Sequence, residues 1–119
     1  MTQKELNKII ENLTYNEYRV YSILEEGEDC KRTKADIANY TNFDVRTIKT
    51  IVKNLRLKGL PICSQTGFGG GYWIEWNKKR FGQFVAEQKI EVEGYLKSLD
   101  NLIVIYKSLK GKDSNELFI

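Results

Sequence analysis

The sequence predicts a mainly α-helical protein with one small β-hairpin and a long C-terminal helix. Three observations carry that prediction. Threonine, aspartate or asparagine caps repeatedly precede apolar residues at helical spacing. A glycine-rich turn, Thr66-Gly-Phe-Gly-Gly-Gly71, is flanked by strand-favouring residues. A heptad seam runs through the last third of the chain. With 119 residues there is room for one compact domain and one long accessory element. The expected division is an N-terminal helix at residues 1–13, a central domain at 14–77, a long helix at 78–110 and a polar tail at 111–119.

Thr2-Gln-Lys-Glu5 reads as a capping box, followed by Leu6, Ile9, Ile10 and Leu13 at helical spacing. Thr14-Tyr-Asn-Glu17 repeats the device for a second helix that presents Tyr18, Tyr21 and Leu24, with Val20 and Ile23 beside them, and ends near Gly27. Thr33 caps a third helix with Asp36 at its N3 position, and Ala35, Ile37, Ala38 and Tyr40 supply its buried side. After a turn of about three residues, Asp44 caps a fourth helix that runs to Lys58 and stops at Gly59. Ile62-Cys-Ser-Gln65 and Tyr72-Trp-Ile-Glu-Trp76 form the hairpin, with Tyr72, Ile74 and Trp76 on one face and Trp73 with Glu75 on the other. Asn77 caps the last helix, which extends from about Lys78 to Leu109.

The fourth helix carries the functional signal. Val45, Ile48, Val52 and Leu55, with Ile51 beside them, face the core, so the opposite side shows Arg46, Lys49, Thr50 and Lys53, flanked by Thr47 and Asn54. Lysine and arginine neutralise phosphates, and arginine also grips the guanine edge with both arms. Threonine and asparagine are short enough to reach base edges, and a helix fits the major groove. Net charge is only +3, yet residues 31–60 hold eight basic side chains against Asp36 and Asp44, whereas residues 1–30 hold three basic and seven acidic ones. That local excess points to a polyanionic partner.

Other chemistries are disfavoured. With no histidine, Ser-His-Asp and Cys-His mechanisms and His-containing metal sites are excluded, and no paired-acid motif sits in a cleft-like setting, so the chain is read as not an enzyme. Cys30 and Cys63 are read as free thiols, with a disulfide the lesser alternative; no metal or cofactor is expected. The glycine-rich turn lacks the Gly-Lys-Ser/Thr ending of a phosphate loop and precedes a strand rather than a helix. No segment has the length and apolarity of a membrane span or a secretion signal, so a cytoplasmic protein is expected.

Two short helices joined by a tight turn, the second one basic, form a helix-turn-helix arrangement, and the hairpin after them supplies a wing. From about Thr14 to Trp76 the chain resembles the winged helix-turn-helix superfamily. The resemblance rests on Thr33-Lys-Ala-Asp-Ile-Ala-Asn-Tyr-Thr, on Asp44 through Lys58-Gly-Leu, and on Ile62-Cys-Ser through Gly71-Tyr-Trp-Ile. It implies a bacterial or phage protein that binds duplex DNA in a sequence-specific way, with Arg46, Thr47, Lys49, Thr50 and Lys53 on the recognition helix and Gly67 to Gly71 on the wing. The full expected DNA-facing set is Thr33, Lys34, Arg46, Thr47, Lys49, Thr50, Lys53, Asn54, Gly67, Phe68, Gly69 and Gly70. Transcription regulation is the leading role. A replication or excision accessory factor, and a protein-interaction module such as a phage inhibitor of a host protein, are the alternatives.

Along the long helix, Phe81, Val85, Gln88, Val92, Tyr95, Leu99, Leu102, Tyr106 and Leu109 fall at alternating four- and three-residue steps. The seam either pairs two subunits into a homodimer, as such helices do in similar regulators, or folds back on the N-terminal helices.

Overall fold

Each helix starts where a side chain takes up its free N–H groups. In the computed structural model, which describes residues 1–109, Thr2, Thr14 and Thr33 each close a reciprocal capping box, with Glu5, Glu17 and Asp36 respectively. They open α1 (Gln3–Glu11), α2 (Tyr15–Ile23) and α3 (Lys34–Thr41). The Asp44 carboxylate accepts from Thr47 N at 2.7 Å and opens α4 (Val45–Leu57), and Asn77 accepts from Arg80 N at 3.0 Å and opens α5 (Lys78–Ser108). The polar tail expected at 111–119 lies outside the described residues.

The α3–α4 turn has a local cause. Asn42 holds φ 62°, a left-handed conformation that asparagine tolerates better than most residues. Thr41 is buried; its hydroxyl donates to Ile37 O at 2.7 Å and accepts from Phe43 N at 3.2 Å. Thr41, rather than the expected Tyr40, therefore points inward, and Tyr40 is exposed. Ala35 is exposed too, while Ile37 is fully buried.

Two compact units divide the chain at Gly82 and Gln83. In the first, Val20 of α2, Ile37 of α3, Ile48 and Leu55 of α4 and Ile62 of β1 (Ile62–Gln65) are fully buried, with Leu6, Ile9 and Leu13 packed at the edge of that core. Val45 is the exception to the expected apolar side of α4. It sits in the first turn, before the helix reaches the core, and is 43% exposed. Tyr18 is likewise half exposed rather than buried.

β1 pairs antiparallel with β2 (Gly71–Ile74), from Ile62 opposite Ile74 to Gln65 opposite Gly71. The segment after α2 closes the other edge of β2. Ile74 N donates to Glu25 O and Gly27 N to Ile74 O, while Arg32 and Tyr72 exchange two bonds of 2.8 Å. A 3₁₀ turn, Glu28–Cys30, lies between these attachments. β2 is thus an interior strand, and Tyr72, Trp73, Ile74 and Glu75 are all buried, instead of alternating between core and solvent. Both cysteines are free thiols, Cys30 exposed and Cys63 buried.

The second unit holds most of α5, in which no residue is buried. Among the described residues, no helix is long and apolar enough to cross a membrane.

Candidate functional site

α4 is two-faced because its apolar residues recur every three or four positions. Ile48, Ile51, Val52 and Leu55 are buried, which turns Arg46, Thr47, Lys49, Thr50 and Lys53 outward, all of them exposed; Asn54 at the margin is half-buried. Arg46, Lys49 and Lys53 form no ion pair among the described residues. The Thr50 hydroxyl donates to Arg46 O at 3.2 Å, so its lone pairs remain for an outside donor. The hydrogen bonds from Thr47 hold the Asp44 carboxyl below the usual carboxylate range, so a fixed negative charge stands at the start of an otherwise basic face.

The eight basic residues at 31–60 separate into two groups. Lys31 donates to Gln65 Oε1 at 2.9 Å, and Arg32 pairs with Glu25 at 2.8 Å and donates to Ile23 O. Arg56 donates to Ile62 O at 2.8 Å and to Ser64 Oγ at 3.0 Å, tying α4 to β1. Lys58 pairs with the buried Glu17 and donates to Asn12 O at 3.1 Å. Burial raises the Glu17 pKa, but the bonds from Lys58 and Thr14 outweigh it and hold the carboxyl below its ordinary value. Four of the eight cations thus serve the fold. Lys34, Arg46, Lys49 and Lys53 are the remainder.

The hairpin turn lies against the start of α3. Gly67 and Gly69 hold φ of 87° and 77°, and between them Phe68 projects fully into solvent. A Cβ on Gly71 would stand 2.3 Å from Arg32 O, so only glycine permits β2 to approach the segment before α3 this closely. Thr33, Lys34 and Ala35 share a cleft of about 300 Å³ with Gln65, Gly67, Phe68, Gly69 and Gly70. The structure therefore gathers two of the expected clusters, the α3 start and the hairpin turn. α4 itself is joined to β1 through Arg56.

One cluster escaped the sequence reading. Tyr15, Tyr18 and Tyr40 are exposed, and the Arg19 guanidinium lies 5.9 Å from the Tyr15 ring centre and 5.2 Å from that of Phe43 and donates to Tyr40 O at 3.5 Å. The spacing of Tyr15, Tyr18 and Arg19 places them on one side of α2, but Tyr40 and Phe43 join only through the fold.

On α5, Val85, Val92, Tyr95, Leu99, Leu102 and Leu109 are exposed, and Phe81, Gln88 and Tyr106 are half-buried. No group of three or more acidic or cysteine side chains placed to hold a metal ion occurs among the described residues. No protein-family model matches the chain, and neither curated proteins nor solved structures give a match.

Proposed function

We propose that this chain is a winged helix-turn-helix protein that binds duplex DNA in a sequence-specific way and regulates transcription in a bacterial or phage cytoplasm. The observation that carries the reading is the outer face of α4, where Arg46, Lys49 and Lys53 stand exposed and without ion pairs among the described residues, beside Thr47 and Thr50. Of the eight cations at 31–60, Lys31, Arg32, Arg56 and Lys58 are engaged in the fold, and this face holds three of the other four for phosphates and base edges. In this reading α3 and α4 are the helix-turn-helix, β1 and β2 the wing, and Phe68 at the wing tip meets a sugar or base edge. Two chains pair through the α5 seam and present two α4 faces to half-sites about one helical turn apart or a multiple of it.

Titration of labelled genomic duplex at several salt concentrations tests the proposal. Arg46→Ala with Lys49→Ala should weaken binding at least tenfold and lower the salt slope by about two, while thermal unfolding stays unchanged. No binding of any duplex at low salt would sink it.

The exposed Tyr15, Tyr18 and Tyr40, with Arg19 against Tyr15, favour a second reading, a protein-interaction module, because tyrosine and arginine are enriched at protein–protein hot spots. Under that reading, replacing Tyr15 and Tyr18 would abolish function while the α4 variant kept it.

A further inference from the structure

α5 changes character along its length. The four- and three-residue steps put Val85, Val92, Leu99 and Tyr106 at heptad position a. In the first half the positions beside the seam are Phe84 at g, then the charged Lys89 at e and Glu91 at g. Valine at a with charged flanks is the pattern of two paired helices, whose e and g positions face water. In the second half the flanks turn mostly apolar, Ser98 at g excepted. Leu96 and Ile103 occupy e and Ile105 occupies g, exposed by 56%, 42% and 52%. Valine also gives way at a to Leu99 and Tyr106, which removes the β-branched preference for two strands. From Tyr95 on, the apolar arc spans roughly 140° or more of the helix, wider than a two-stranded seam covers.

The area involved indicates the occupant. A helix pair that buries only a and d leaves Leu96, Ile103 and Ile105 bare on both chains. At roughly 80 Å² for each such side chain, that is about 500 Å² of apolar flank on one dimer, divided between the two sides of its seam. A four-helix bundle, in which both flanks of every helix meet a neighbour, covers about 1,000 Å² of such surface, the size of a small specific interface.

We infer that the distal part of α5, residues 96–109, joins two dimers of this chain into a tetramer, as a four-helix bundle with dihedral symmetry. The inference rests on the paired seam of the preceding section. It is independent of what α4 binds. In a DNA-binding protein the assembly holds two duplex sites on one particle.

The test is the mass of the full chain without DNA, by sedimentation or light scattering across a wide concentration range. The expected mass is four times the chain mass of 13.9 kDa. Leu96→Glu with Ile103→Glu should halve it, with Trp73 and Trp76 fluorescence unchanged because both tryptophans lie in the first unit. Leu96→Gln with Ile103→Gln serves if circular dichroism shows that the glutamates melt α5. A wild-type mass of two chains overturns the tetramer and keeps the seam. A mass of one chain overturns both, and a mass of three overturns the dihedral assembly. Folded variants that remain tetrameric, or that fall directly to single chains, overturn the role of these flanks.

Discussion

α4 and α5 are both helices with apolar residues at three- and four-residue steps, yet the two have opposite fates. On α4 the stripe meets α2, α3 and β1, and Ile48 and Leu55 lose all contact with solvent. On α5 the stripe is longer, and Leu99 and Leu102 remain more than half exposed. An apolar period states that a face must be covered. Whether the cover is the same chain depends on what the connecting segments bring within reach. α4 is connected by three residues to α3 within one unit, whereas α5 is a helix about 46 Å long, most of which belongs to a second unit.

Equal truncations on the two stripes should have the most unequal effects. Leu55→Ala should destabilise the first unit by about 2–5 kcal/mol, from lost transfer energy and the cavity left behind. Leu99→Ala should leave the tryptophan-detected melting of that unit unchanged and weaken self-association instead. Equal loss of melting temperature for both would show that α5 belongs to the same core.

A smaller effect separates charge from packing at the far end of α4. The Glu17 carboxyl is held below its ordinary value, so it stabilises the fold fully above the unfolded-state pKa, and that share is lost as pH falls through the folded-state pKa. Glu17→Gln retains the side-chain oxygen that the capping box needs but removes the charge facing Lys58. The variant should be less stable than the parent at neutral pH, with the gap closing below the usual carboxylate range in acid unfolding curves. A gap that stayed constant down to low pH would assign Glu17 a packing role alone. The smallest effect is expected at Val45. Its place in the α4 period ranks it with Ile48, but exposure predicts that Val45→Ala changes stability by less than about 0.5 kcal/mol in denaturant titration.

Much of this molecule was readable from short-range pattern. A cap and the residue it serves lie three positions apart, so Thr2, Thr14, Thr33, Asp44 and Asn77 announced all five α-helices before any packing was known. The hairpin was announced by its glycines, and the outward stripe of α4 by its inward one. Element ends were less legible. At the end of α3 the choice between Tyr40 and Thr41 turned on a hydroxyl that satisfies both Ile37 O and Phe43 N in the turn, a detail that no apolar period records.

Long-range partners were not in the pattern at all. Eight basic residues at 31–60 look alike along the chain, and the fold divides them. Lys31, Arg32, Arg56 and Lys58 meet acceptors carried by α2, β1 and the segments around them, while Lys34, Arg46, Lys49 and Lys53 meet none among the described residues. Likewise β2 reads as a half-buried edge until Glu25, Gly27 and Arg32 bond to its free side. Local geometry determined where helices, turns and stripes begin. Which charges stay free, which strand is interior and which apolar face remains uncovered depend on residues far apart in sequence, because a hydrogen bond or a buried contact exists only once the chain has brought both members together.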